Sequence, residues 1–177
     1  MWLETLLEKI TSFIPRIMII RPDESGFRQT MKPWGGCWIT ETKPGNWYWL
    51  LPIVMEEEVC KIKPQVVDIR SQSILTKDNI DIMVSASIRY YVRNAVKALL
   101  EVLDYDESLQ TTALVAIEEY IEGHTLEELK NSRSTLRENL LKAVREESKG
   151  WGLWVSSVGI TDIGKARNFR LLGNLGS

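Results

Sequence analysis

Histidine is almost missing from this sequence: His124 is the single one among 177 residues. With only two cysteines, Cys37 and Cys60, there is neither a disulfide framework nor a ligand set for a structural metal site. The two thiols leave a reducing compartment and a single disulfide both open. Proline and glycine are sparse, at 6 and 11, which excludes collagen-like and low-complexity chains. A makeup of 44% hydrophobic and 26% charged residues excludes a mainly disordered one. Neither sign of charge dominates. The 22 Lys and Arg against 24 Asp and Glu leave a net charge of -2, so no global field draws the protein to nucleic acid.

Long apolar runs are missing too. A membrane-crossing helix needs roughly 20 consecutive apolar residues, yet no uncharged stretch is longer than Pro44 to Met55, which two prolines interrupt. Glu4, Glu8 and Lys9 argue against a secretory signal at the N-terminus. Motifs of nucleotide, zinc and calcium sites are absent as well: no phosphate-cradling glycine loop, HExxH or EF-hand pattern occurs. His124 lies between a helix end and a capping sequence, where packing or hydrogen bonding at the turn is its expected role. Glu118 and Glu119, and Glu56, Glu57 and Glu58, are adjacent runs expected on solvated surface, the triplet in a turn. Cys37 is expected to be a small buried hydrophobe rather than a reactive thiol. No catalytic residue, metal ligand or cofactor is expected.

Tryptophan is what the chain has in excess. Of its 7 tryptophans, Trp2, Trp34, Trp38, Trp47 and Trp49 fall in the first 49 residues, and Trp151 and Trp154 near the other end. Such residues either fill a β core or lie at interfaces with protein or membrane. Residues 2–14 have helical periodicity, with Trp2, Leu3, Leu6, Leu7, Ile10, Phe13 and Ile14 on one face and Pro15 as the stop. That stripe would pack on the protein body or lie in a membrane interface.

From Ile17 to Arg70 the pattern is β, with short strands at 17–20, 27–31, 37–40 and 47–51 separated by Gly35-Gly36 and Pro44-Gly45 turns. In the last, Trp47, Trp49 and Leu51 share one face, Tyr48 and Leu50 the other. A strand apolar on both sides is central in a sheet or has one face against a partner. Seven apolar residues from Ile80 to Val92 alternate with period two and mark a long strand with one buried face. Its hairpin partner is 66–70, turning near 76–79. Asn94 caps a helix to Val102, a second helix spans 106–121, and a Thr125–Glu128 capping box opens a third running to about Glu147. Gly150 and Gly152 precede a final strand through Ile163. Strands first, then β-α-α-α-β, reads as α+β.

These elements resemble the SPFH domain, also called the band 7 or prohibitin-homology domain, of stomatin, prohibitin and flotillin. The resemblance rests on Leu75–Ile80, Tyr90–Val92, Ala95–Ala98, Asp104–Tyr105, Gly123–Leu129, Arg133, Trp151–Leu153 and Val158–Ile163. Upstream, Arg21–Phe27, Lys43–Gly45 and Leu51–Ile53 agree too. It implies a first SPFH subdomain over 16–70 and a second over 71–164, flanked by the helix at 1–15 and a tail at 165–177. It further implies a non-enzymatic, self-associating scaffold, peripheral or monotopic on the cytoplasmic side of a membrane. Such a scaffold organises membrane patches or regulates membrane proteins such as proteases. The partners so implied are further copies of the chain (a homo-oligomer), membrane lipids and a membrane protease, with no nucleic acid. Members commonly carry an N-terminal hydrophobic hairpin and a coiled coil after the last strand, which forms much of a cage wall; the sequence here has a short helix and stops at Ser177, so the resemblance leaves open whether a closed cage forms. A soluble adaptor with the same fold is the alternative.

The residues expected to touch membrane are Trp2, Leu3, Leu6, Leu7, Ile10, Phe13, Trp34, Trp38, Trp47 and Trp49. Arg133, Arg137, Glu127 and Glu138 belong to a helical stretch of mixed charge. It is either plain solvated surface or a complementary face for another copy.

Overall fold

A computed structural model describes residues 14–165. The helix expected over 2–14 falls almost wholly outside them, and with it Trp2, Leu3, Leu6, Leu7, Ile10 and Phe13. The strands are β1 (Arg16–Ile19), β2 (Glu24–Met31), β3 (Cys37–Thr42), β4 (Trp47–Leu50), β5 (Met55–Lys61), β6 (Gln65–Leu75), β7 (Asp81–Val92) and β8 (Leu153–Lys165). The helices are α1 (Ala95–Glu101), α2 (Tyr105–Glu122), α3 (Leu126–Asn131) and α4 (Arg133–Glu147). The fold is α+β, β-rich first, then helices and a closing strand. The chain forms two compact units: one of 14–65, 90–108 and 148–154, the other of 66–89, 109–147 and 155–165. Strands β6, β7 and β8 and helix α2 thus contribute to both.

In the first unit β2 is the middle of an antiparallel sheet of order β3-β2-β5, and β1 pairs β4 in a separate two-stranded ribbon. Gly26 sits where β2 meets β5, and a Cβ there would fall 1.9 Å from the Glu58 carbonyl oxygen. Only glycine allows that approach. Asn94 caps α1, its side chain accepting from the Lys97 N–H at 3.0 Å. Cys60, Val92, Ala95 and Ala98 form a small core with Ile62, Leu99, Tyr105 and Leu153 against it. The fully buried Tyr90 donates its hydroxyl to the Asp106 carboxylate. Burial first, and that carboxylate second, push the phenol far above its ordinary pKa.

Two expectations fail in this unit. Glu56, Glu57 and Glu58 are not a turn but the middle of β5, so their side chains alternate across the sheet; Glu56 and Glu58 are exposed and Glu57 is half-buried. Cys37 is exposed, because it opens the edge strand β3 next to the hairpin loop, whereas Cys60 is the buried thiol. Burial pushes Cys60 up to about 11, with Glu58 adding to the rise. The two cysteines are free.

In the second unit the sheet order is β6-β7-β8. Along β7, Ile82, Val84, Ala86 and Ile88 are buried while the intervening residues are not. The β6–β7 turn is held by Thr76, whose hydroxyl donates to Asp78 at 2.5 Å and accepts the Ile80 N–H at 3.1 Å. Asn79 adopts φ 56°, a conformation that asparagine tolerates. Asp78 also accepts the Leu126 N–H at 3.3 Å, tying the turn to the start of α3. Leu109, Ala113, Ile117 and Ile121 line the buried side of α2, and Leu136, Leu140 and Val144 that of α4. The capping box at Thr125 and Glu128 is formed. The helix it opens is not continuous to Glu147, however. Ser132 leaves helical geometry at φ -117° and ψ 32°, its N–H and hydroxyl both turned to the Glu128 carbonyl. A serine that bonds back to the preceding turn competes with the backbone ladder.

Arg28 links the ribbon to the sheet. Arg28, in mid-β2, stands opposite Glu57 of β5. Its guanidinium lies 5.5 Å from the centre of the Tyr48 ring and donates to the Trp49 carbonyl at 3.3 Å. Both Glu57 carboxylate oxygens, and Nε of Arg28, are buried without a hydrogen-bond partner among the described residues. Desolvation therefore raises the Glu57 pKa, and the Arg28 charge only partly opposes it.

Two outcomes follow from this packing. Gly152 has φ +75°, and a Cβ there would fall 2.4 Å from the Asn94 carbonyl oxygen. Gly152→Ala should therefore lower stability by about 2 kcal/mol or more. Gly123→Ala, whose Cβ meets nothing nearer than 3.6 Å, should stay within about 0.5 kcal/mol; denaturant titration of the two variants reads the difference. Glu57 binds its proton more tightly folded than unfolded. Its contribution is complete at low pH and is lost as pH rises through the raised folded value. Glu57→Gln should consequently melt higher than the parent at about pH 8, with the gain vanishing below the ordinary value of 4.5. A gain unchanged with pH would mean that charge is not the cause.

Candidate functional site

The ribbon has two unlike faces, and its register dictates which residues share each. Ile17 stands opposite Trp49 and Ile19 opposite Trp47; Met18 pairs with Tyr48 and Arg16 with Leu50. Met18, Tyr48 and Leu50 are half-buried, and Tyr48 meets Arg28. Its hydroxyl accepts the Lys43 N–H at 3.0 Å and the Asn46 amide at 3.4 Å, which lowers the phenol's pKa. The opposite face is Ile17, Ile19, Trp47 and Trp49, each between 53% and 71% exposed. The two indoles meet edge to face with centroids 6.2 Å apart. Four large apolar side chains thus form one uncovered platform.

The exposure continues along the chain. Leu51, Ile53 and Val54 follow β4 and are exposed. The Val54 carbonyl accepts the N–H of the exposed Met31 at 2.8 Å, bringing this segment to the start of the β2–β3 loop. Trp34 in that loop is 94% exposed. Trp38 is exposed on edge strand β3, with the Lys32 ammonium 5.1 Å from its ring centre. Scattered exposed apolar residues are ordinary on a protein surface, but contiguous groups of this kind mark interaction sites.

The structure therefore places Trp34, Trp38, Trp47 and Trp49 in solvent, with Trp47 and Trp49 adjacent. Sequence reasoning missed Ile17 and Ile19, which complete the platform. Their alternation around Met18 was a signal, but a four-residue strand is too short for period two to stand out. Glu127, Arg133, Arg137 and Glu138 are all exposed, on α3 and α4.

The helical unit offers little chemistry. The His124 ring stacks on Tyr120 with centroids 4.2 Å apart, and its Nδ1 meets the Tyr120 carbonyl oxygen at 2.7 Å. Its own carbonyl accepts the Lys77 N–H. The imidazole serves the turn. Among the described residues no group of three or more His, Cys, Asp or Glu is placed to hold a metal ion, and no helix is long and apolar enough to cross a membrane.

Comparison with known proteins agrees with the resemblance read from the motifs. The model of the SPFH domain / Band 7 family matches residues 18–170. A protein of Methanocaldococcus jannaschii is 29% identical over 164 residues, covering 92% of this chain and 80% of its own length. One of Archaeoglobus fulgidus is 26% identical over 162 residues, covering 92% of this chain and 63% of its own length. A stomatin homologue of Pyrococcus horikoshii is 28% identical over 116 residues, or 66% of this chain and 44% of its own length. The chain thus spans less than two thirds of two of these three relatives. Stomatin-type proteins and the family model align with it, and the family is in general non-enzymatic. By the extent of that match and by its α+β architecture, the chain belongs to the SPFH/Band 7 family.

Proposed function

We propose that this chain is a non-enzymatic scaffold that self-associates at a membrane surface, peripherally and on the cytoplasmic side. There it would organise membrane patches or regulate membrane proteins such as proteases. The observation that carries the proposal is the platform of Ile17, Ile19, Trp47 and Trp49, exposed together on one face of the ribbon. Tryptophan beside branched aliphatic side chains suits the boundary between headgroups and acyl chains. Full burial is worth about 1.5–3 kcal/mol per large side chain. Half-burial of four would yield on the order of 4 kcal/mol per copy, an affinity of about 1 mM. One copy would therefore come and go. Several copies held together multiply the anchors without any new contact, so assembly and attachment support each other and no spanning helix is required. Two free thiols are compatible with a reducing compartment.

Vesicle flotation tests the proposal. The intact chain should float with liposomes, and Trp47→Ser with Trp49→Ser should weaken that by about tenfold or more while leaving circular dichroism unchanged. Removing residues 1–15 reports separately on the N-terminal segment. A chain that stays unbound at every lipid composition would instead be a soluble adaptor.

A further inference from the structure

The helical unit has a groove whose charged lining residues are all carboxylates. Helices α2 and α4 border this groove of about 390 Å³ with Val115, Ala116 and Ala143 along it and Glu119, Glu146 and Glu147 at its rim. It continues into a second hollow of about 310 Å³ that shares Ala116, Glu119 and Ala143. No lysine or arginine lines either one. The small side chains leave room, and the carboxylates make that room negative.

The complement lies on the other side of α4. At 3.6 residues per turn, Asn139, Ala143 and Glu146 fall on one flank of the buried Leu136–Leu140–Val144 row, and Arg137 and Leu141 on the other. Arg133 precedes Arg137 by one turn. Both arginines are exposed, and among the described residues neither forms an ion pair. Lys130 at the end of α3 adds a third cation nearby in sequence. Glu127 and Glu138, the other charges expected at a contact between copies, line neither hollow.

We propose that the basic flank of α4, through Arg133 and Arg137, docks into the acidic α2–α4 groove of a second copy, against Glu119 and Glu147. This rests on the self-association proposed above and names its contact. Because flank and groove are different surfaces of one chain, the contact is heterologous. Each copy gives its arginines to one neighbour and receives those of the other, so copies add head to tail, into a ring where the rotation closes and a filament where it does not. Arg133 opens α4 and Glu147 ends it, about 21 Å away along the helix, so one copy cannot bring its own arginines to its own groove. Opposite charges meeting across the contact also set its register and disfavour a head-to-head arrangement.

A charge-swap experiment in lipid-free buffer tests this without reference to membrane binding. The full chain is sized by analytical ultracentrifugation at about 0.15 M salt, where exposed charges beyond about 8 Å are screened. One variant carries Glu119→Lys and Glu147→Lys, the other Arg133→Glu and Arg137→Glu; circular dichroism checks that each is folded. The parent chain should assemble, and less so in high salt. Each variant alone should lose association by more than about tenfold, because like charges then meet. An equimolar mixture should regain it, since the reversed groove accepts the reversed flank and the two native surfaces match. Folded variants that assemble like the parent would overturn this contact and leave self-association standing. So would variants that dissociate alone and do not recover when mixed. A parent chain that stays monomeric would overturn both.

Discussion

The hold of Arg28 on β4 is what the exposed platform depends on. A two-stranded ribbon is marginal in water without a surface to pack on. This one is attached through its inner face, where the Arg28 guanidinium lies over Tyr48 and bonds the Trp49 carbonyl. A cation over an aromatic ring tolerates dryness better than an ammonium in the same place, because the guanidinium is planar and weakly hydrated. With Tyr48 committed inward, the strict alternation of a strand turns Trp47 and Trp49 outward. The cost sits on Glu57, a carboxylate hidden beside the arginine without a hydrogen bond. Strain of this kind, next to an uncovered apolar face, is the pattern expected where a surface serves binding rather than stability.

Elsewhere polar groups are spent on the turns. Thr76 and Asp78 close the β6–β7 turn and reach the N-terminus of α3, Asn94 starts α1, and Tyr90 finds Asp106. The first three lie where the chain changes direction, and Tyr90 lies near the end of β7. The middle of β7 and the inner rows of α2 and α4 carry no polar side chain among their buried residues. The consequence is a helical unit whose outward surfaces are free to differ in charge, since its interior requires nothing of them.

Much of this was legible in the sequence. Period-two alternation found β7, capping chemistry found α1 and α3, and an ordered set of short motifs pointed to the family. What escaped reading was local competition. Ser132 breaks the helix because its hydroxyl turns back on Glu128, which no periodicity reveals. Glu56, Glu57 and Glu58 looked like a turn because charge usually marks solvent. In β5 only the middle one turns inward, and its reason is Arg28, a residue far earlier in the chain that only strand pairing brings opposite. Trp34, Trp38, Trp47 and Trp49 were legible as candidates for an outward-facing contact, although the sequence alone also left a β core open to them. For Trp47 and Trp49 the outward direction follows from Tyr48 lying on the Arg28 side of the ribbon.

The contrast between the two cysteines has a practical consequence. Cys60 is sealed in the small core, its thiolate disfavoured up to about pH 11, while Cys37 stands in solvent beside Trp38. A maleimide dye at neutral pH would therefore address one position alone, next to the indole-bearing loop. Its colour would report the polarity of whatever comes to rest there.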